Sequence, residues 1–206
     1  MATRSAKLNL KIILLGDAGV GKTSVLNQHV FELFPSTQFV TRIPPDFVVK
    51  GAMVNDRRVT LQFWDPAGLE RFGPIHKPWY RNTHCCVLMY DINNEKSFQS
   101  LENWLKGCHD ACFNMDINNF PVILLGNKID GGDKRQVTPE QALQFCAENG
   151  NIPYFETSAK DATNLQEAFG TAARFALGHK DMLEKLAEHD KSLVSVEQSN
   201  TKKTCW

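Results

Sequence analysis

The sequence lacks an excess of charge of either sign. Its 206 residues include 23 Lys or Arg and 23 Asp or Glu, so the formal net charge is zero. Proteins that bind nucleic acid carry a basic patch or stripe, and polybasic segments attract proteins to anionic membranes. The balanced charge therefore argues against nucleic acid as a partner and against simple electrostatic attraction to a membrane.

Metal-binding cysteine spacings and long apolar runs are also absent. The six cysteines form no Cys-x-x-Cys pair and have no matching histidine array, which argues against a zinc site. Residues 1–7 are polar, and the apolar run at residues 12–15 is too short for a signal peptide or a membrane span. We therefore expect a cytosolic, reducing compartment.

The sequence does contain short apolar runs that alternate with helical patterns. Strands are predicted at residues 11–15, 46–54, 59–64, 85–90, 121–125 and 153–155, with Asn55 and Asp56 as a hairpin turn. Helices are predicted at residues 22–31, 97–114, 139–148 and 162–177. This alternation predicts an α/β fold with a six-stranded, mostly parallel sheet, one antiparallel edge strand and helices on both faces.

The chain divides into three segments by pattern. Residues 1–7 form a polar N-terminal segment, residues 8–178 form one domain, and residues 179–206 form a flexible C-terminal tail. The tail contains five Lys and five Asp or Glu, so it carries no net charge. Its first part continues a helical pattern, whereas residues 192–203 have the composition of a disordered segment.

A glycine-rich segment lies between the first predicted strand and the first predicted helix. If the chain binds phosphate here, Lys22 would reach the β- and γ-phosphates and the Thr23 hydroxyl would hold Mg²⁺. Glycines let backbone N–H groups face a phosphate chain, and the helix adds its positive N-terminal end. The alternative is an ordinary glycine-rich turn, and the motif by itself indicates only a nucleoside triphosphate. The segment fits GxxxxGK(S/T), with one further nucleotide-binding residue after it, and comprises Gly16, Asp17, Ala18, Gly19, Val20, Gly21, Lys22, Thr23 and Ser24.

Two polar segments, each just past a predicted strand, indicate the base. A carboxylate at Asp130 can accept two hydrogen bonds from the N1–H and N2–H₂ edge of guanine, whereas adenine would leave a buried charge unpaired. The stem of Lys128 can lie along one face of the base, and the second segment offers a backbone N–H near guanine O6. Either segment alone is also compatible with a polar loop, but together they predict guanine. They are Asn127, Lys128 and Asp130, which fit NKxD, and Ser158, Ala159 and Lys160.

A third motif, DxxG, occupies residues 65–68 at the end of a predicted strand. In this motif Asp65 supports Mg²⁺ through water, and the Gly68 N–H contacts the γ-phosphate. The motif is weak evidence by itself, and its position after the second strand of the hairpin strengthens it.

With these motifs in this order, the chain resembles the Rab family of the Ras superfamily over about residues 8–178. The segments WDPAGLERF, YDINNEKSF, NFPVILLGNKID and IPYFETSAKDATN carry the resemblance, and the last two resemble the late-endosomal Rab branch in particular. The resemblance implies a switch that binds GTP or GDP with Mg²⁺, hydrolyses GTP and recruits effectors to vesicle membranes. Exchange factors and GTPase-activating proteins are the implied regulators.

The resemblance also implies roles for four aromatic residues. Phe34 would pack on the face of guanine opposite Lys128. Phe47, Trp64 and Trp79 match the aromatic triad through which Rab proteins contact effectors. The alternative for these three aromatics is ordinary core packing.

Two family positions are changed in ways that affect hydrolysis. Leu69 stands where the family has the Gln that orients the attacking water, and an aliphatic side chain cannot form that hydrogen bond. Arg42 takes the place of the switch I Thr when residues are counted back from Asp46, whereas Thr41 takes it when they are counted forward from Thr23. Arg42 then either pairs with the γ-phosphate or points to solvent, or Thr41 takes over the role. We expect slow hydrolysis and a long-lived GTP state.

The last three residues also depart from the family pattern. The ending Thr204-Cys205-Trp206 is not C-a-a-X, and no second cysteine lies nearby. A single lipid chain on Cys205 would anchor the protein only marginally. We expect a cytoplasmic protein with peripheral association, through its tail, with late-endosomal or other vesicle membranes.

The sequence leaves three functions in competition. The leading one is a Rab-like GTPase switch with impaired hydrolysis. The second is a pseudo-GTPase interaction module that binds partners independently of the nucleotide, motivated by Arg42, Pro44, Pro66 and Leu69. The third is a P-loop kinase or ATPase, and the two base-reading segments argue against it.

Overall fold

A computed structural model of the chain describes residues 8–34, 47–66, 77–111 and 120–201. The strand order in its single six-stranded sheet is β2-β3-β1-β4-β5-β6, and every neighbouring pair is parallel except β2 and β3. The predicted fold class, with one antiparallel edge strand, is therefore confirmed. The strands are β1 (Leu8–Leu15), β2 (Phe47–Val54), β3 (Arg57–Trp64), β4 (Cys85–Asp91), β5 (Val122–Asn127) and β6 (Tyr154–Thr157).

Helices cover both faces of the sheet. One core contains apolar residues of α1 (Lys22–Phe31) and α5 (Leu165–Thr201). The other core contains residues of α3 (Leu101–Ala111) and α4 (Pro139–Glu148), next to the short helix α2 (Glu95–Gln99). Two 3₁₀ segments, Lys77–Tyr80 and Ile129–Lys134, complete the elements.

The central strand β1 shows why the sheet needs both layers. Ile12 and Leu14 pack into the core under α1 and α5, whereas Ile13 and Leu15 pack into the opposite core. All four side chains are fully buried. A parallel strand that is covered on both faces is apolar at successive positions, and each such side chain contributes roughly 1.5–3 kcal/mol.

The hairpin between β2 and β3 turns where the sequence predicts it. Asn55 has φ 48° and Asp56 has φ 60°, so both central residues are left-handed, as in a type I′ turn. Asn and Asp tolerate this conformation because their short polar side chains can bond locally. The turn pairs Val54 with Arg57 and fixes the register of the whole hairpin.

The predicted helix at residues 97–114 is wrong in its continuity. It is replaced by α2 and α3, which meet at Ser100, and α3 ends at Ala111. The Ser100 hydroxyl donates to the carbonyl of Lys96 at 3.0 Å. Serine side chains compete in this way with the backbone pattern of a continuing helix. Asn94 begins α2, and its side chain accepts a hydrogen bond from the backbone N–H of Lys96.

The last helix is longer than its predicted end at residue 177. α5 continues to Thr201, so the prediction of disorder is wrong over residues 192–201. Residues 179–201 contain no Gly or Pro, and Arg57 binds Asp181 at 2.7 and 2.9 Å, which ties α5 to the start of β3. The boundary at residue 178 and the flexibility of the tail stay predictions.

Among the described residues, no helix combines the length and the apolar composition that a membrane span requires. The remaining predicted elements agree with the structure to within about three residues at each end.

Candidate functional site

The predicted motifs meet at one edge of the sheet. The glycine-rich segment follows β1, Asp65 follows β3, and residues 127–130 and 158–160 follow β5 and β6. Carboxyl ends of parallel strands lie at the same edge, and the crevice outside them is where ligands bind in open α/β sheets. The motifs therefore come from distant parts of the sequence to a common crevice.

Two glycines allow the loop after β1 to pack closely against neighbouring strands. Gly16 has φ 146°, and a Cβ there would lie 2.1 Å from the backbone oxygen of Met89. Gly21 has φ 103°, and a Cβ there would lie 2.4 Å from Nδ2 of Asn127. Both the backbone conformation and the space therefore require glycine.

Positive charge gathers where this loop enters α1. The Lys22 side chain is only 4% exposed, and its ammonium donates to the carbonyls of Gly16 at 2.7 Å and Asp17 at 3.0 Å. Helix α1 begins at Lys22, and no side chain among the described residues caps its first turn. An ammonium beside the N-terminal N–H groups of a helix forms a suitable environment for an anion.

A hydroxyl and a carboxylate meet beside this charge. The Thr23 hydroxyl donates to Oδ2 of Asp65 at 2.5 Å, which joins the first turn of α1 to the end of β3. Oxygen atoms of this kind are the ligands that Mg²⁺ prefers, and the ion usually takes its remaining ligands from substrate phosphates and water. No group of three or more His, Cys, Asp or Glu side chains that could hold a metal ion exists within the described ranges.

The side chain of Asn127 connects three parts of the site. It is 1% exposed, and its Nδ2 donates to the carbonyl of Val20 at 2.9 Å. Its Oδ1 accepts from the Thr157 hydroxyl at 3.3 Å. The neighbouring loops are also joined directly, because the Ser158 hydroxyl donates to Oδ1 of Asp130 at 2.7 Å. The two predicted base-reading segments are therefore in contact with each other and with the glycine-rich loop.

Lys128 reaches back across the same loop. Its φ is 71°, its ammonium donates to the carbonyl of Gly19 at 2.7 Å, and it pairs with Oδ2 of Asp91 at 2.7 Å. Asp91 ends β4 and was not among the predicted site residues. A polar residue that directly follows the buried run at residues 85–90 was the available signal.

Further contacts at the site have no local signal in the sequence. The indole N–H of Trp104, on α3, donates to Oδ1 of Asp17 at 2.8 Å. Arg135 and Glu156 form an ion pair behind the base-reading segments. Each of these partners lies far from the predicted motifs in sequence or has no motif of its own.

The other predicted site residues have simple positions. Ser24 lies in the first turn of α1, Ala18 and Lys160 are exposed, and Ala159 is buried. Phe34 follows α1 and is 44% exposed, and its contact with a base stays a prediction. The predictions for Thr41, Arg42, Gly68, Leu69 and Cys205 lie outside the described residues.

Three aromatic residues form a second cluster, which we call the aromatic patch: Phe47, Trp64 and Trp79. The rings of Phe47 and Trp64 stack with centroids 5.0 Å apart, and Trp64 meets Trp79 edge-on at 5.6 Å. The ammonium of Lys11 lies 4.2 Å from the Trp64 ring centroid and donates to the carbonyl of Trp79. Phe47 is 41% exposed, so the patch is only partly core packing and presents an apolar ring to solvent.

Comparisons with known proteins identify the family. A family model described as the Ras family matches residues 11–177. The chain belongs to the Ras family. It is 48% identical over 183 residues to the Ras-related protein Rab-7a of Dictyostelium discoideum, which covers 89% of each chain. It is 50% identical over 182 residues to the Ras-related protein RABG3a of Arabidopsis thaliana, which covers 87% of each chain.

These relatives identify the branch of the family. A Ypt/Rab-type GTPase, ypt7 of Schizosaccharomyces pombe, is 44% identical over 198 residues and covers 96% of each chain. The predicted resemblance to the late-endosomal Rab branch is confirmed, and the chain is a Rab7-type small GTPase that binds guanine nucleotide and hydrolyses GTP. This membership sets aside the kinase or ATPase alternative. Its general role is in membrane trafficking, with effectors, exchange factors and GTPase-activating proteins as partner classes.

Proposed function

We propose that this Rab7-type GTPase is a slowly hydrolysing switch that acts on late-endosomal or other vesicle membranes. In its GTP-bound state it recruits effectors through the aromatic patch. The observation that carries the slow rate is Leu69, because it stands at the family's Gln position. The glycine-rich segment and the two base-reading segments keep the family pattern.

The proposed binding roles follow from the contacts at the site. Lys22 holds the β- and γ-phosphates beside the N-terminus of α1. Thr23 and Asp65 would hold Mg²⁺, which would supply stabilisation of the negative charge on the phosphate oxygens. Asp130 binds the N1–H and N2–H₂ edge of guanine, and Lys128 covers one face of the base. The Gly68 N–H contacts the γ-phosphate. The short Thr23–Asp65 contact and the Ser158–Asp130 hydrogen bond support these assignments.

The proposed rate follows from the chemistry of water attack. A Gln amide can orient the attacking water by donating and accepting hydrogen bonds, whereas Leu69 can do neither. Removal of one positioned polar group costs roughly 10²–10³ in rate. A GTPase-activating protein that acts on this chain would have to supply both the water-positioning group and an arginine that stabilises the charge of the transition state. In switch I, Arg42 or Thr41 takes the role of the γ-phosphate sensor.

The first experiment identifies the nucleotide that co-purifies with the chain, released by denaturation and separated by chromatography. We expect mostly GTP. Single-turnover hydrolysis is then measured with Leu69→Gln, which should speed GTP cleavage by about two orders of magnitude because the polar group is restored. Leu69→Ala is the matched control, because it changes volume without adding a hydrogen-bonding group. An unchanged rate in Leu69→Gln would contradict the proposed cause.

The substitutions at Arg42, Pro44, Pro66 and Leu69 favour one second candidate, an interaction module that binds partners independently of nucleotide state. Pro44 and Pro45, next to Arg42 in switch I, remove two backbone donors and stiffen the segment. A ligand shifts an equilibrium only through differential affinity for two states. If partner binding to the aromatic patch changes when GDP is exchanged for a GTP analogue, this candidate fails; a chain purified without nucleotide would favour it.

A further inference from the structure

An ion pair joins the chain just after the first base-reading segment to the strand just before the second. Arg135 binds Glu156 through both ends of its guanidinium, with Nη1 to Oε1 at 2.6 Å and Nη2 to Oε2 at 2.9 Å. Nη1 also donates to the carbonyl of Val137 at 3.1 Å. Bidentate pairs of this type restrict both distance and orientation. The hydrogen bond to Glu156 is the main reason why the pKa of Arg135 is raised.

The positions of the two residues matter more than the pair itself. Arg135 directly follows the 3₁₀ segment Ile129–Lys134, which contains Asp130. Glu156 lies in β6, just before Thr157 and Ser158. The ion pair therefore joins the chain beyond the first base-reading segment to the strand before the second, in addition to the direct Ser158–Asp130 contact.

Two tyrosine hydroxyls form a second set of hydrogen bonds that holds Glu156 in place. The Tyr154 hydroxyl donates to Oε1 of Glu156 at 3.0 Å and lies 2.8 Å from the Tyr90 hydroxyl. Tyr154 has one hydrogen to donate, so Tyr90 donates to Tyr154. Burial raises the pKa of Tyr90 to about 12 and raises the pKa of Tyr154 above its usual range, so both hydroxyls stay protonated.

The same two hydroxyls reach the backbone next to Asn127. A Cβ at Gly126 would lie 2.7 Å from the oxygen of each tyrosine. Gly126 immediately precedes Asn127 and pairs with Glu156 in the sheet. The chain of contacts thus runs from β4 across β5 to β6 and ends on Arg135. It holds the strand ends from which both base-reading segments leave.

We propose that Arg135 and Glu156 are positioning residues that set the selectivity for guanine by holding residues 127–130 and 158–160 in register. The inference rests on the proposed function, in which Asp130 and the backbone of residues 158–160 bind opposite ends of the base edge. Guanine requires the Asp130 carboxylate on N1–H and N2–H₂ while a backbone N–H reaches O6. These groups come from two different strands, so their separation depends on what ties the strand ends together. Hypoxanthine keeps N1–H and O6 but lacks N2–H₂. It therefore makes one hydrogen bond fewer to Asp130 and loses less binding when Asp130 shifts.

The test compares the dissociation rates of GDP and inosine diphosphate (IDP) from the full chain. The wild type should release IDP faster than GDP. Arg135→Ala should speed the release of GDP by about tenfold, the value of one hydrogen bond, and the release of IDP by less, so that the ratio of the two rates narrows. Arg135→Lys keeps the charge but cannot bind both carboxylate oxygens through two nitrogens, so its ratio of dissociation rates should lie between those of wild type and Arg135→Ala. Glu156→Gln should give the same ratio as Arg135→Ala.

Arg57→Ala is the matched control. Arg57 pairs with Asp181 through Nη1 alone, which contacts both carboxylate oxygens, and these two residues lie on β3 and α5, which carry neither base-reading segment; its loss therefore tests the general effect of losing an ion pair. The GDP to IDP ratio should not change in this variant.

Two results separate the inference from the proposed function. A wild-type chain that does not distinguish GDP from IDP would end the assignment of Asp130 and the inference with it. A wild type that does distinguish them, with the ratio unchanged in Arg135→Ala and Glu156→Gln, would overturn the positioning role alone. Equal acceleration of both nucleotides, as in a general loss of stability, would overturn it too. If Arg135→Ala does not fold, Arg135→Lys and Glu156→Gln carry the same comparison.

Discussion

A single carboxylate, Asp91, holds the side chain of Lys128 over the glycine-rich loop. Its Oδ2 lies 2.7 Å from the Lys128 ammonium, and its Oδ1 accepts from the backbone N–H of Asn93 at 2.9 Å. The Asp91 side chain is largely buried, so solvent screens the pair less than it screens a surface pair. Under the proposed role of Lys128 at the base, this fixed orientation would lower the entropy lost on binding.

Asp91→Asn should therefore weaken nucleotide binding. The amide keeps the shape of the side chain and removes the charge, which costs about 1 kcal/mol of pairing and should raise the GDP dissociation rate about fivefold. The measurement is release of a fluorescent GDP analogue by stopped flow. Asp133→Asn, an exposed change in the 3₁₀ segment of the same loop, is the control and should leave the rate unchanged. Equal rates in both variants would contradict the role of Asp91.

Residues with motif chemistry could be predicted from the sequence, and their supports could not. The sequence predicts that Lys22, Thr23 and Asp130 share one crevice, because their motifs have fixed residue types at fixed spacings and follow strands of one sheet. Trp104 lies 87 residues from Asp17, and no local pattern links them. No sequence pattern indicates the ion pair of Arg135 and Glu156 either, since each residue alone resembles an ordinary surface charge.

At the scale of elements, α4 shows a complete N-terminal capping box. The Thr138 hydroxyl accepts from the backbone N–H of Gln141 at 3.3 Å, and the Gln141 side chain accepts from the backbone N–H of Thr138 at 2.8 Å. Pro139 occupies the first turn, where its missing N–H has no consequence. Two otherwise unpaired donors are thereby satisfied.

Thr138→Ala should destabilise the domain by about 1 kcal/mol, because the cap acceptor is lost. Urea unfolding at a fixed nucleotide concentration measures the change in the free energy of unfolding. Thr138→Ser keeps the hydroxyl and is expected to stay within a few tenths of a kcal/mol of wild type. A serine variant as unstable as the alanine variant would show that the methyl group, rather than the cap, is responsible.

Element bounds could be predicted where local chemistry decides them. Both bounds of α4 agree with the prediction. Its start is fixed by a capping residue and a proline. The Asn55-Asp56 turn was found for the same reason, since few residues tolerate φ above zero. The continuation of α5 past residue 177 is not predicted, because the contact between Arg57 and Asp181 that holds its next turn joins residues 124 positions apart. Composition alone does not contain that contact.

At the scale of the whole molecule, the buried His29 and the half-buried His84 make stability depend on pH. His29 stacks on Phe169 at 4.3 Å and meets Phe63 edge-on at 5.7 Å. Burial, with a smaller contribution from Lys50, lowers the pKa of His29 to about 4. Burial and then the nearby Lys180 lower the pKa of His84 to about 4 as well. Both imidazoles are therefore neutral in the folded protein at pH 7.

The sign of the pH effect follows from these lowered pKa values. The unfolded chain binds a proton at each histidine near pH 6.5, whereas the folded chain does so only near pH 4. The stability contributed by the neutral rings is thus complete above about pH 6.5 and is lost as the pH falls toward 4. After allowance for partial solvent screening, we expect a loss of about 3 kcal/mol between pH 7 and pH 5.

Urea unfolding at pH 7, 6 and 5 with a fixed excess of GDP measures this dependence. His29→Phe is the informative variant, because it retains a ring against Phe169 and removes one titrating group. Its loss of stability between pH 7 and pH 5 should be about half that of wild type. A stability that does not change across this range would contradict the assignment of two neutral histidines.

The helix α5 continues well past the end of the family match at residue 177. About 24 further helical residues, at 1.5 Å each, make a rod about 36 Å long. A coil of the same length would have an average reach of about 27 Å in any direction. Thr201 therefore lies farther from residue 177 than the average reach of a coil of the same length would place it.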